Sequence, residues 1–211
     1  MEENKIIKTL KFYYLATSLK DKIRSGWIKW NVSKDRLESI AEHIYGTCVL
    51  AISIDSEFNT GVDLNKVLRM LVLHELEEVI IGDITPYDNV TEEEKLTLGR
   101  KAVSEVLDGL IKKEEYEALL NEFNAHETKE SKFAFCCDKL EADLQAKKYD
   151  EYCDIHNPVD KSMVEEGWNK NFIENGDATI SDLFISYDMK HFDDLFRAIA
   201  LYIKNNGMRK S

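Results

Sequence analysis

Apolar residues recur along most of the chain with the three- and four-residue spacing of amphipathic helices, and short polar breaks separate these stretches. Only two prolines and nine glycines occur, which is too few for the many tight turns of a β-sandwich or barrel. The pattern therefore predicts an all-α fold. The predicted helices cover about residues 4–23, 33–54, 63–82, 91–111, 113–125 and 131–150.

Residues with capping chemistry define the ends of several predicted helices. Ser33 and Asp35 are both suitable N-caps for the second helix, so the sequence leaves its first residue open. The third helix is expected to end at Gly82, because glycine adopts the left-handed conformation that terminates helices without steric cost. Thr91, followed three residues later by Glu94, has the spacing of a capping box and predicts the start of the fourth helix.

The chain after residue 150 has a weaker pattern. The stretch YDEYCDIHNPVDK predicts a loop, because its Asn-Pro pair and scattered aspartates interrupt any periodicity. The stretch ATISDLFISYDMKHFDDLFRAIALYIKN is apolar enough for one or two closing helices. Its ISDLFIS portion is also compatible with a short strand, and the sequence leaves both interpretations open.

Length, composition and charge exclude several classes of protein. The 211 residues, 44% hydrophobic and 32% charged, exclude a disordered chain and fit a single domain over residues 1–211. With 28 basic and 40 acidic residues the net charge is 28 − 40 = −12, which disfavours binding to a nucleic acid polymer or an anionic membrane. No apolar run approaches the roughly 18 residues of a membrane span. No export signal is evident, so we expect a cytoplasmic protein with reduced cysteines.

The third predicted helix directs one imidazole and two carboxylates toward the side that its leucines bury. An unpaired buried carboxylate costs several kcal/mol or takes up a proton, whereas a divalent cation compensates both its charge and its lone pairs. The helix therefore indicates a metal site. The polar groups are His74, Glu75 and Glu78, and the apolar arc consists of Leu64, Val67, Leu68 and Leu71.

Further metal ligands are available on two other predicted helices. His43 lies among apolar residues of the second helix, and Asp138 adjoins apolar residues of the sixth. A mixed set of imidazoles and carboxylates suits one divalent ion such as Mn, Co, Fe or Zn, with Mg also possible, and leaves positions for water. Taken singly, each histidine is more simply explained as a hydrogen-bonded structural residue, so the metal hypothesis depends on the set.

Four sequence stretches, in order, resemble a known family. They are RSGW, ESIAEH, HELEEVIIGDITP and DKLEADLQA. Together they are similar to the HD-domain metal-dependent phosphohydrolases, and within them to the branch of 5′-deoxynucleotidases. The resemblance covers roughly residues 10–150 and leaves 151–211 as a C-terminal extension. It implies a helical bundle of about six to eight helices around a metal site.

The resemblance also assigns the metal ligands. The family motif of a histidine, a His-Asp doublet and a distant aspartate implies His43, His74, Glu75 and Asp138 as the ligands of one ion. Glu75 departs from the family pattern, because its side chain is one methylene longer than the usual aspartate. The carboxylate still reaches the ion if the ion or the helix shifts slightly.

Four further residues receive roles from the same resemblance. Glu78 and Asp83 match the family's catalytic acids, which orient the attacking water or protonate the leaving 5′-oxygen, and the sequence does not divide these roles between them. Arg24 matches the arginine of an R-x-G-W motif, and its guanidinium suits bidentate phosphate binding. Trp27, from the same motif, is expected to pack on the nucleoside.

The resemblance implies a homodimeric enzyme that releases phosphate from nucleoside 5′-monophosphates, with a preference for deoxyribonucleotides. One alternative is an HD hydrolase for another phosphate ester, such as a nucleoside triphosphate or an alarmone. A second alternative is a non-catalytic nucleotide-binding HD module, in which Glu75 reflects lost chemistry. A helical interaction protein without any site is the third.

Overall fold

A computed structural model describes residues 2–165, 167–174 and 178–206 of the chain, and within these ranges it contains helices and no β-strand. The helices are α1 (Glu2–Thr17), α2 (Ser25–Lys29), α3 (Ile40–Phe58), α4 (Leu64–Leu73), α5 (Glu78–Ile81), α6 (Glu92–Val106), α7 (Lys113–Ala125), α8 (Lys129–Tyr149), α9 (Ser162–Glu165), α10 (Gly167–Glu174), α11 (Ile180–Asp188) and α12 (Asp194–Asn206). Short 3-10 turns cover Ser18–Lys20 and Asp150–Tyr152. The all-α prediction is confirmed.

Several predicted elements agree closely with the structure. The capping box at the start of α6 is present, since the Thr91 hydroxyl accepts from the Glu94 amide and the Glu94 carboxylate accepts from the Thr91 amide. The ISDLFIS stretch forms helix α11 instead of a strand. A second capping box, between Thr179 and Asp182, explains this choice because it satisfies the amide groups of the first helical turn.

The prediction that the second helix begins at Ser33 or Asp35 is wrong. Helix α3 begins at Ile40, and Ser39 is its N-cap, with a capping box to Glu42. Ser39 itself has an extended backbone and pairs with Ile23 in an isolated antiparallel bridge, so the helix does not begin before it. The first helix also ends earlier than residue 23, at Thr17, so the segment up to this bridge is available for other contacts.

The third predicted helix is interrupted. Helix α4 stops at Leu73, residues 74–77 form turns, and the short α5 follows. The amides of Leu76, Glu78 and Val79 each donate to the carbonyl three residues earlier, so the backbone is tightened relative to an α-helix. The end predicted at Gly82 is confirmed, because this glycine caps α5. Its φ of 75° favours glycine, but its ψ of 172° differs from the left-handed helical conformation that was predicted.

The chain divides into two compact units. The first comprises residues 1–24 and 38–135, and the second comprises 25–37 and 136–211. Helix α8 therefore contributes its first turns to one unit and its remaining turns to the other. The single domain predicted over residues 1–211 stays a prediction, and residues 1, 166, 175–177 and 207–211 lie outside the described ranges.

The core of the first unit fixes the turn between α4 and α5. Leu76 is 2% exposed and packs in a cluster of buried residues with Val103 and Leu107 of the α6 end and Leu120 of α7. Burying a leucine side chain contributes roughly 1.5–3 kcal/mol. The turn that holds His74 and Glu75 is thereby anchored to the core by its central apolar residue.

The second unit has its own core, built around aromatic side chains. Trp30 and Tyr149 are almost completely buried, and so is Phe196 of α12. All four cysteines of the chain lie within the described residues, and none forms a disulfide. Among the described residues, every helix is too short or too polar to cross a lipid bilayer.

The N-cap of α3 provides a stability test of this fold. We expect Ser39→Ala to lower the free energy of unfolding by about 1 kcal/mol, because the amide of Glu42 loses its acceptor at the helix N-terminus. Urea denaturation followed by circular dichroism measures the change. Ser53→Ala, which removes an exposed hydroxyl within the same helix, is the matched control, and an equal effect of both substitutions would contradict the capping role.

Candidate metal centre

Two histidines and one glutamate converge inside the first unit. His43 lies one turn into α3 and is completely buried, while His74 and Glu75 lie in the turn after α4. The Oε1 atom of Glu75 is 3.6 Å from Nε2 of His43 and 3.6 Å from Nε2 of His74. The imidazole ring centroids of the two histidines are 5.5 Å apart. Residues separated by more than thirty positions therefore present three ligand atoms to one point.

The orientation of the His74 ring is fixed by its neighbours. Its Nδ1 atom lies 2.7 Å from the carbonyl oxygen of Leu71, and because a carbonyl only accepts hydrogen bonds, Nδ1 carries the proton. In the neutral ring Nε2 then has its lone pair directed toward Glu75. Phe123 packs on the same ring with a centroid distance of 5.4 Å. This arrangement is typical of metal-ligating histidines, whose second nitrogen donates to a carbonyl.

The donor set fits a divalent transition metal. Ligand atoms of His43, His74 and Glu75 all lie within 4.8 Å of one another, and each side chain is largely shielded from water. Two neutral imidazoles and one carboxylate leave a divalent ion with positive charge to polarise water or an oxyanion. The residues present therefore fit the one-ion site predicted from the sequence. The arrangement supports Lewis-acid chemistry with open coordination positions.

Arg24 contacts the same carboxylate. Its Nη1 atom donates to Oε1 of Glu75 at 2.8 Å, and the two side chains are 19% and 13% exposed. The backbone holds the arginine in place, because the Arg24 amide donates to the Glu38 carbonyl at 3.0 Å. A guanidinium there is suited to bind an anion, and the phosphate-binding role predicted for Arg24 stays a prediction.

Glu78 is buried close to these groups. It is 2% exposed, and its buried Oε2 atom makes no hydrogen bond within the described part of the chain. Burial, together with the negative charges of Glu75 and Asp83, raises the pKa of Glu78 from 4.5 to about 11, against the lowering effects of Arg24 and Lys95. Glu78 therefore keeps its proton at neutral pH and is able to act as an acid.

Asp83 follows the helix-ending Gly82. It is half-buried, and its charge acts on Glu78, so the two predicted catalytic residues lie within electrostatic range of one another. The chain beyond Asp83 is held by Asp88, whose Oδ2 accepts from both the amide and the hydroxyl of Thr85 at 2.8 Å. These bonds define the path of the backbone just after the candidate catalytic aspartate.

Three charged residues of this region were missed by the sequence analysis. Lys22 donates from Nζ to the carbonyl oxygens of Glu78 and Val79, at 2.6 and 2.9 Å, and so fixes α5. Burial, together with the negative charge of Glu75, raises the pKa of Glu77 to about 7. Lys95, whose Nζ donates to the Ile84 carbonyl at 2.7 Å, lowers the pKa of Glu77. No motif marks these residues, because their roles depend on tertiary contacts.

Two of the predicted site residues lie in the second unit. Trp27 is 2% exposed, and its indole is stacked on Phe184 at 5.4 Å and packed edge-on against Tyr149 at 5.1 Å. It is a core residue of that unit, and its predicted contact with a nucleoside stays a prediction. Asp138 lies on α8, is 8% exposed, and pairs with Lys139 at 3.3 Å.

Comparisons with known proteins identify the family. The model of the HD domain family matches residues 16–178. The human protein named 5′-deoxynucleotidase HDDC2 is 33% identical over 145 residues, which cover 67% of this chain and 68% of that protein. The Dictyostelium discoideum protein of the same name is 32% identical over 149 residues, covering 67% of this chain and 77% of that protein.

A solved structure supports the fold at lower sequence identity. The crystal structure of a predicted metal-dependent phosphohydrolase from Magnetospirillum magnetotacticum is 20% identical and superimposes with a TM-score of 0.69. The match covers 98% of this chain and 94% of the other. The resemblance inferred from the four sequence motifs is confirmed by these comparisons. On the family match and the identity to these relatives, the chain belongs to the HD-domain family.

Proposed function

We propose that this chain is a metal-dependent phosphohydrolase that releases phosphate from nucleoside 5′-monophosphates, with a preference for deoxyribonucleotides. The main support for this proposal is that a single oxygen, Oε1 of Glu75, lies 3.6 Å from two imidazole nitrogens and 2.8 Å from the Arg24 guanidinium. A cation-binding group and an anion-binding group therefore adjoin, as hydrolysis of a phosphate ester at a metal requires.

The proposed metal ligands are His43, His74, Glu75 and Asp138, holding one Mn, Co, Fe or Zn ion, or Mg. Support for the first three is their convergence within the first unit. Asp138 is a buried carboxylate on α8, three residues after Phe135 and thus on the same helix face.

Aromatic contacts within the first unit connect this part of α8 with the candidate ligand His74. Phe135 stacks on His126 at 3.9 Å, His126 packs against Phe123, and Phe123 packs against His74. The turn of α8 that precedes Asp138 is therefore linked to the His74 ring by three consecutive ring contacts. Asp138 itself lies on the part of α8 that belongs to the second unit, and its role as the fourth ligand stays a prediction from the family resemblance.

The chemistry is divided between the ion and the side chains around it. A bound divalent ion lowers the pKa of water and polarises a phosphoryl oxygen. The Arg24 guanidinium binds the phosphate and balances its charge. Glu78, which burial keeps protonated, donates a proton to the leaving 5′-oxygen. Asp83 orients the attacking water.

The substrate class is supported by the relatives. The human and Dictyostelium relatives both carry the name 5′-deoxynucleotidase. The contact of Trp27 with the nucleoside, the homodimer and the cytoplasmic location are further elements of the proposal, and each stays a prediction.

Phosphate release from a panel of nucleotides tests the proposal. We expect the purified protein, supplied with Mn or Co, to release inorganic phosphate from deoxynucleoside 5′-monophosphates faster than from ribonucleoside monophosphates. Production of pyrophosphate or triphosphate from nucleoside triphosphates or alarmones would instead support a different HD hydrolase. Nucleotide binding without release of phosphate under Mn, Co or Mg would exclude the proposed reaction.

Metal content tests the candidate ligands independently of activity. We expect His74→Ala to lose the divalent metal that the wild-type chain retains, because one of the two imidazole donors is removed. Plasma mass spectrometry of the purified proteins gives the stoichiometry. His156→Ala, in an exposed loop position, is the matched control. The assignment fails if both variants retain metal equally.

The protonated state of Glu78 has a consequence for stability. An unfolded chain releases this proton above pH 4.5, whereas the folded chain holds it up to about pH 11, so Glu78 lowers the free energy of unfolding as the pH rises above 4.5. We therefore expect Glu78→Gln to stabilise the metal-free protein by about 1–3 kcal/mol at roughly pH 8 and very little at roughly pH 4.

Urea denaturation in the presence of a chelator measures this pH dependence. Glu105→Gln replaces a glutamate on the exposed side of α6 and serves as the control. Its difference from wild type should stay nearly constant over the same range. A stabilisation by Glu78→Gln that does not grow with pH would show that Glu78 is ionised in the folded protein.

A further inference from the structure

One carboxylate oxygen lies next to both the candidate histidine ligands and the candidate phosphate-binding arginine. Oε1 of Glu75 is the atom that lies 3.6 Å from each histidine Nε2, and it is also the atom that accepts the Arg24 hydrogen bond at 2.8 Å. The oxygen directed at the metal-binding imidazoles is thus already paired with a cation. An ion bound between these imidazoles through Oε1 would share this oxygen with the guanidinium or displace it.

The geometry of Glu75 makes this sharing possible. A glutamate places its carboxylate one methylene further from the backbone than an aspartate would. This reach brings Oε1 into contact with Arg24 of the extended segment before α2, while the backbone of Glu75 remains in the turn after α4. The largely buried position of both side chains weakens the screening of their charges by water.

We propose that Arg24 and the metal ion compete for the Glu75 carboxylate, so that Arg24 acts as a built-in counter-ion which couples metal binding to phosphate binding. In the metal-free protein Arg24 neutralises Glu75. When a phosphate group binds Arg24, the carboxylate is released to the ion, and when an ion binds the carboxylate, the guanidinium is released to the phosphate. The coupling is reciprocal, as linkage between two binding sites requires. This inference rests on the proposed function, because it takes His43, His74 and Glu75 as ligands and Arg24 as the phosphate-binding group.

The metal affinity of Arg24 variants tests the competition in the absence of phosphate. We expect Arg24→Gln to bind Mn²⁺ at least about fivefold more tightly than wild type in titration calorimetry, because the competing cation is removed. If Arg24 instead orients Glu75 for the ion, the same substitution weakens Mn²⁺ binding. An unchanged or weaker affinity would therefore overturn the proposal.

A second ion pair of the first unit provides a matched control. Arg69 pairs with Glu115 on the exposed surface between α4 and α7. Arg69→Gln removes the same charge and tests whether a gain in affinity comes only from the change in net charge. Equal gains in Arg24→Gln and Arg69→Gln would contradict a direct competition for Glu75.

Phosphate binding to the metal-free protein tests the reciprocal effect. We expect Glu75→Gln to bind inorganic phosphate at least about fivefold more tightly than wild type in the presence of a chelator, because the negative charge that pairs with Arg24 at this position is removed. Glu115→Gln is the matched control. An unchanged phosphate affinity in Glu75→Gln would overturn this half of the coupling.

The length of the Glu75 side chain is tested by a double-mutant cycle. In a Glu75→Asp background the shorter carboxylate is withdrawn from Arg24, so the further substitution Arg24→Gln should leave the Mn²⁺ affinity nearly unchanged. A full gain in that background would contradict the role of the additional methylene. If wild type and every variant fail to bind Mn²⁺, the metal centre itself is excluded, and this coupling with it. If wild type releases phosphate from nucleotides but Arg24→Gln gains no affinity for Mn²⁺, the coupling alone is excluded and the proposed function remains.

Discussion

Compensation of the Glu75 charge is the constraint on which the centre of the first unit depends. A carboxylate that is 13% exposed loses most of its hydration, and this loss is tolerated only if other groups neutralise its charge. Arg24 supplies a full positive charge at 2.8 Å, and two imidazoles face the same oxygen at 3.6 Å. The positions of α3, of the turn after α4 and of the segment before α2 are thereby linked through one atom.

The turn between α4 and α5 positions this carboxylate. A continuous helix over residues 63–82 would place its polar groups at regular intervals, whereas the observed turn contains a tightened backbone with bonds to the third preceding carbonyl. Leu76 fixes the turn to the hydrophobic core, and Lys22 fixes the start of α5 through two carbonyl groups. The turn that carries His74 and Glu75 is therefore held by contacts of Leu76 and Lys22, and these contacts do not involve the side chains of the candidate ligands.

The sequence was sufficient for the helical class and the family, because apolar periodicity and the order of four motifs are local properties. It also named His43, His74 and Glu75, which the structure brings together, while their role as ligands stays a prediction. Val67 and Leu71 of the predicted apolar arc are indeed buried, together with His74 and Glu78. The start of α3 was misplaced because the backbone bridge between Ile23 and Ser39 joins positions that no local pattern connects. The burial of Trp27 against Phe184 and the contacts of Lys22 likewise depend on distant parts of the chain. The pairing of Arg24 with Glu75 was not predicted for the same reason.

We propose that His43, His74 and Glu75 bind a single divalent ion. Anomalous diffraction at the manganese edge, from crystals grown with Mn²⁺, tests this binding. We expect one strong peak within coordination distance of both Nε2 atoms and of the Glu75 carboxylate, roughly 2–2.3 Å from each. A manganese peak at any other place in the molecule, with none between the two imidazoles, would contradict it.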